Sequence, residues 1–253
     1  MLILLPPSET KAFGGEHPAL DWESLSFPAL NSTREAIARD LSRMDPDEMQ
    51  KALKLSAKLR QEVEANQEFF SSPTMSAIHR YTGVLYDALD AATLNDAALA
   101  RLAIGSALFG VVGATDPIPH YRLSASSKIP QADGTMPTMK ARWGKTITEV
   151  LGEVSGLIVD LRSSGYQQLG KVPGAVTVRV EAVQDDGSRK VVSHFNKFYK
   201  GQLARLLAQA ESEPEDGAQV AEVARAAGME MELGEGLELT MVVSSATTVG
   251  VKA

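Results

Sequence analysis

Two short apolar runs end in polar turns whose residue types could grip an anion. Leu2–Leu5 passes through Pro6 and Pro7 into Ser8, Glu9 and Lys11. Leu157–Leu161 passes into Arg162, Ser163, Ser164 and Tyr166. In open α/β sheets ligands bind beyond the carboxyl ends of the strands. If the two runs are parallel neighbours, their turns form one cleft, and hydroxyls and backbone N–H groups there suit phosphate or carboxylate recognition. Asp160 or Glu9 could then serve as acid/base, with Arg122, Ser163 and Ser164 holding an anionic group of a nucleotide or nucleobase substrate.

A second set of candidates is basic. His120-Tyr121-Arg122, Lys128, Lys140, Arg142, Trp143 and Lys145 place five lysines and arginines against one acid, Asp133. A tryptophan among cations allows base stacking beside phosphate contacts; it could equally anchor a solvated loop. Lys197 and Lys200 are three apart on an expected helix, hence on one face.

Composition removes several alternatives. The 253 residues include no cysteine, so disulfides, thiolate metal sites and cysteine nucleophiles are excluded. The four histidines are scattered, and no metal or cofactor is expected. No P-loop, G-x-G-x-x-G or G-x-S-x-G stands in its required context. No stretch approaches a membrane span and the N-terminal apolar run is too short for a signal peptide, so a cytoplasmic location is expected. Residues 211–238 carry nine acids against Arg225 alone, a surface segment of net −8 in a chain of net −7, which leaves the remainder near +1.

The elements that must position these groups are of mixed type. Leu2–Leu5 and Gly156–Leu161 read as buried strands. Val176–Val183 alternates with period two, Asp186-Gly187 turns, and Val191–Phe195 returns, a β-hairpin. Leu237–Val243 reads as a last strand. Helices are expected from the Ser32…Glu35 capping box, from Asp45-Pro46 to about Asn66, over Pro73–Arg80, Asn95–Ala103, Thr146–Glu153 and Lys197–Gln209, and near 217–227. Ile104–Gly113 is a strand or tight hairpin, and 114–138 a long ordered loop or lid. The expected fold is one α/β domain over residues 1–253: a central mixed sheet with a β-hairpin, surrounded by helices, with a basic cleft.

Leu4–Lys11 (LLPPSETK), Phe109–Leu123 (FGVVGATDPIPHYRL), Arg142-Trp143-Gly144, Ser163-Ser164-Gly165-Tyr166 and Phe195…Lys197…Lys200-Gly201 occur in this order. Together they resemble the YaaA family of bacterial peroxide-stress proteins, from Met1 to about Arg205. The resemblance implies a cytoplasmic, non-enzymatic protein that limits peroxide damage indirectly by keeping free iron low. It also implies a single mixed α/β domain with a positive cleft, and duplex DNA binding through a helix-hairpin-helix-like element. That element would fall near Asn95–Gly113, with Gly110 and Gly113 as hairpin glycines; Tyr121, Arg122, Lys197 and Lys200 match polar or basic family positions. The family's Pro-Ala-Lys-Thr turn is here Pro7-Ser8-Glu9-Thr10, and Ala114-Thr115 replaces an Arg-Pro. With so few cations, DNA binding is expected to be weak and salt-sensitive. A small anionic, nucleotide-like ligand is the other expected partner.

Overall fold

The computed structural model describes residues 1–192 and 195–244. Its strands are β1 (Leu2–Leu5), β2 (Met75–Ser76), β3 (Leu102–Ser106), β4 (Gly110–Gly113), β5 (Pro117–Ile118), β6 (Ile158–Asp160), β7 (Val176–Val183), β8 (Arg189–Val191), β9 (Glu230–Leu233) and β10 (Glu238–Ser244). Its helices are α1 (Asn31–Ser42), α2 (Pro46–Ala52), α3 (Arg60–Gln67), α4 (Ala77–Arg80), α5 (Val84–Leu89), α6 (Asp96–Ala100), α7 (Met139–Trp143), α8 (Thr146–Gly152), α9 (Ser164–Gln167), α10 (Asn196–Ala208) and α11 (Gly217–Ala226).

An eight-stranded mixed sheet runs β4-β3-β1-β6-β7-β10-β9, with β8 paired to β7. The continuous apolar run of β1 fits a strand covered on both faces: Ile3, Leu4 and Leu5 are fully buried. β1 lies parallel to β3, Leu4 opposite Ala103, and parallel to β6, Leu4 opposite Asp160. The two apolar runs are therefore the parallel neighbours that one cleft requires, and their polar turns leave the same edge. The chain passes from β1 to β3 on one side and later returns to β6 on the other. That reversal of strand order is where an open sheet leaves a crevice.

The period-two stretch is β7, buried at every second residue, and β8 returns antiparallel to it with Val183 opposite Arg189. The strand is set earlier than the expected return Val191–Phe195: only Val191 of that run belongs to β8, Phe195 lies in the turn that opens α10, and 193–194 lie outside the described residues. β10 extends the sheet parallel to β7, and β9, which the sequence did not signal, pairs antiparallel to β10.

Several expected helices differ. α1 begins at Asn31 as the continuation of a 3-10 turn, Pro28–Leu30, with no side-chain cap, so Ser32 and Glu35 of the expected capping box lie inside the helix, and Arg34 between them is buried. Its guanidinium donates to the carbonyls of Phe109 at 2.8 Å and Ser26 at 2.9 Å. The Asp45 cap forms as expected, its Oδ1 accepting from the amides of Asp47 and Glu48. The helix it starts ends at Ala52, and Lys54 in the left-handed region (φ 55°) separates it from α3. Pro73–Arg80 holds only α4, preceded by β2, which pairs antiparallel with β5 inside the 114–138 loop. Asn95 does cap α6, but that helix stops at Ala100. Leu102 starts β3, and β3 and β4 form an antiparallel hairpin. Asn95–Gly113 is thus a helix followed by a β-hairpin, not a hairpin between two helices. Gly110 there adopts φ +70°, and a Cβ on it would come within 2.9 Å of the Trp143 ring.

Candidate functional site

Beyond the ends of β1 and β6 lies a cavity of about 460 Å³, walled by Pro6, Pro7, Glu9, Ser163, Tyr166 and Lys200 among others. A second cavity of about 400 Å³ shares Pro6, Pro7, Glu9 and Lys197 with it. α10 reaches the cleft with its first turns, which carry Asn196, Lys197 and Lys200. It can do so because Gly201 lets it lie against α5: a Cβ there would fall 2.3 Å from the Leu85 carbonyl oxygen.

Arg122 is the main fixed cation. Its backbone N–H donates to the Oδ1 of buried Asn66 at 2.8 Å, which anchors the segment. Its guanidinium spans Glu9, donating to the main-chain oxygen at 2.8 Å and to Oε2 at 2.7 Å. Lys200 donates to the Leu161 carbonyl at 3.2 Å, and burial lowers its pKa. Ser163 is exposed, and Tyr166 is half-buried, its phenol pushed up to about 12 chiefly by burial.

Lys11 lies behind this wall. Its Nζ donates to the carbonyls of Ser8 at 3.1 Å and Glu9 at 3.5 Å, and rests 4.4 Å from the Tyr121 ring centroid and 5.3 Å from that of Tyr81. Burial, then the neighbouring Arg122 charge, brings its pKa down to about 7; Glu62 and Glu9 pull the other way. The two phenols share a hydrogen bond of 2.6 Å, and Tyr121 shares another of 2.6 Å with Ser106. Ser106 Oγ accepts from the amides of Leu108 and Phe109. Burial raises the pKa of both phenols, so they remain protonated.

The fold thus gathers Glu9, Ser163, Tyr166, Lys197 and Lys200 around one cleft, with Arg122 held against Glu9, Ser8 at the edge, and Lys11 on Tyr121 beneath. Ser164 is exposed beside it on α9. Lys128 and Lys140 are exposed along the 120–145 stretch, as is Lys145. Two members of that basic stretch hold structure instead. Trp143 is fully buried and donates from Nε1 to the Ala107 carbonyl at 2.9 Å, so no base can stack on it. Arg142 pairs with Asp40 at 2.6 Å and donates to the Ile129 carbonyl at 2.9 Å. Asp160 is likewise occupied: Arg162 donates to its two oxygens at 2.9 and 2.8 Å, all of it buried. Of the two carboxylates suited by type to acid/base work, Glu9 alone faces the cleft.

Residues the sequence did not single out also line the cavity: Ser124, Ser126 and Asn196. The serine run after Arg122 is the visible signal for the first two. A buried pair, Glu62 with His120 at 2.9 Å, stands on the far side of Lys11's charge environment; nothing local in the sequence links them. Among the described residues no group of three or more potential metal ligands comes together, and no helix is long and apolar enough to cross a membrane.

The chain is similar to known proteins over nearly its whole length. A family model described as peroxide stress protein YaaA matches residues 1–228. A UPF0246 protein of Corynebacterium efficiens is 62% identical over 245 residues, covering 96% of this chain and all of that protein. One from Streptomyces coelicolor is 41% identical, covering 92% of each, and one from Shewanella woodyi is 27% identical over 224 residues, covering 82% of this chain and 86% of that protein. The chain therefore belongs to the YaaA family of peroxide stress proteins.

Proposed function

We propose that this protein serves the peroxide-stress response by binding a phosphate-bearing ligand of about nucleotide size in the strand-end cleft. The observation that carries this is the Glu9 carboxylate seated on Arg122: the fold already holds an anion there, at the mouth of a cavity flanked by Lys197 and Lys200. A cavity of about 460 Å³ is within the usual range for small-ligand sites. The first turn of α10 adds the positive end of a helix dipole. Protection, and the lower free iron the family resemblance implies, would then follow from ligand capture rather than from thiol chemistry, since the chain has no cysteine.

Calorimetric titration with nucleoside diphosphates and pyrophosphate tests this. Saturable binding is expected, weakened about tenfold, or 1.4 kcal/mol, by Arg122→Gln or Lys197→Gln. No binding by any of these, or binding indifferent to both substitutions, overturns the proposal.

A second reading, duplex DNA as partner, is favoured by Lys128, Lys140 and Lys145, exposed along one stretch outside the cavity. Turnover of the bound nucleotide would fall to Glu9 as the acid/base, because Asp160 is held by Arg162.

A further inference from the structure

Lys11 combines burial, aromatic walls and a removable cover. Its side chain is almost fully buried, yet among the described residues no carboxylate pairs with it. An ammonium in such a place is poorly compensated, since two carbonyl oxygens and two ring faces replace its hydration. Both carbonyls belong to the Ser8-Glu9 turn, the same turn that Arg122 holds through Glu9. The Glu9 side chain is 71% exposed and that of Arg122 18%, so the carboxylate is the partner free to leave. An incoming anion that takes Arg122 removes one of the two bonds fixing Glu9 and loosens the cover over the amine.

We propose that Lys11 is a reactive amine that condenses with the carbonyl group of an anionic aldehyde or ketone, one carrying a phosphate or carboxylate that displaces Glu9 from Arg122. This rests on the anion-binding reading of the cleft. The nitrogen lone pair attacks the carbonyl carbon and forms the C–N bond while the C–O π pair moves to oxygen. One N–H proton moves to that oxygen to give the carbinolamine. The second N–H proton leaves with the oxygen as water, and the C=N bond closes. The reaction needs no oxidant or reductant. The rings of Tyr81 and Tyr121 wall the amine, and their hydroxyls, linked to Ser106, stay protonated nearby as the proton source within the same buried cluster.

The charged groups around the amine set its pH range. Arg122 and Arg80 disfavour the ammonium, Glu62 and Glu9 favour it, the two tyrosines stay neutral, and burial dominates. Titration near 7 leaves about half of Lys11 as free amine at neutral pH. An ordinary lysine is unprotonated to roughly 0.04% there.

Pyridoxal 5′-phosphate, an aldehyde carrying a phosphate, is a suitable probe on the full chain. Borohydride adds hydride to the imine carbon and fixes the adduct, and peptide mass mapping locates it. Lys11 is expected to carry at least about tenfold more label at pH 7 than exposed Lys128, Lys140 or Lys145, given its larger amine fraction. Pyrophosphate is expected to suppress that label, Arg122→Gln to reduce it, and pH 5.5 to reduce it severalfold. Saturable probe binding with Lys11 unmodified, or label spread evenly over the exposed lysines, overturns the reactive amine and leaves the cleft standing. Absence of saturable binding by both probe and pyrophosphate overturns the cleft and the amine's role with it. Mapping on the unaltered chain decides the matter without relying on a Lys11 variant that folds.

Discussion

At the scale of single residues, buried charges decide most of the behaviour. Lys11 has a pKa of about 7 in the folded chain, against about 10.4 in the unfolded one. Between those values the unfolded chain binds more protons, so this residue makes stability rise with pH through the window and lowers it below 7. Lys11→Met keeps the volume and removes the charge. It is expected to raise stability at pH 7 by about 2 kcal/mol and to flatten the rise between pH 7 and 10. Urea unfolding of both forms at the two pH values checks this; an unchanged pH dependence overturns the depressed value. Arg162 predicts the opposite sign. Arg162→Met strands the Asp160 carboxylate in the core, at a cost of about 3–5 kcal/mol measured the same way. Little of this was legible in the sequence. Arg162 and Asp160 stand two apart in the chain and have the residue types of a cleft. What decides their role is burial, set by Gly170, which accepts from Arg162 at 2.9 Å, and by the strands around them. Lys11's environment is less visible still, since Tyr81 and Tyr121 arrive from distant segments.

Elements explain which readings survive folding. The strands at the cleft were readable because a doubly covered parallel strand needs an uninterrupted apolar run, and β7 because one covered face imposes period two. The 95–113 region was readable only in part: its glycine-rich end, 104–113, suits the strand or tight hairpin it forms, but the short apolar run at 98–103 suits either strand or helix by pattern alone. Pairing with β1 and β4 settles the chain from Leu102 as strand β3. α5 gave no signal, although it fixes where α10 can lie, through a backbone approach that only Gly201 permits. Gly201→Ala is therefore expected to push α10 away from α5 and carry Lys197 and Lys200 with it. The expected cost is about 1–3 kcal/mol of stability by overpacking. Pyrophosphate affinity is expected to fall with it, although residue 201 does not line the cavity. A stability loss with affinity intact would mean that α10 does not position the two lysines.

For the whole molecule the sign of the charge matters more than any local patch. The chain nets −7, and its acids concentrate in 211–238, where Glu213 already accepts from the N-terminal amine and from Arg101 at 3.0 Å. A polyanion approaching the 120–145 stretch and the start of α10 meets Lys128, Lys140, Lys145 and Lys197 as exposed cations, since Arg142 is paired and Arg122 carries Glu9. Four phosphate contacts limit the slope of log K against log salt to about −4 for duplex DNA. The cleft, by contrast, holds its cations beside low-dielectric walls, where screening by salt is weaker. The two sites should therefore separate experimentally. Reversing charge in Lys128→Glu with Lys140→Glu is expected to abolish duplex binding at low salt, as read by fluorescence anisotropy, while pyrophosphate affinity changes less than about threefold. If both affinities fall together, one continuous basic surface serves both ligands, and the division between cleft and outer cations is wrong.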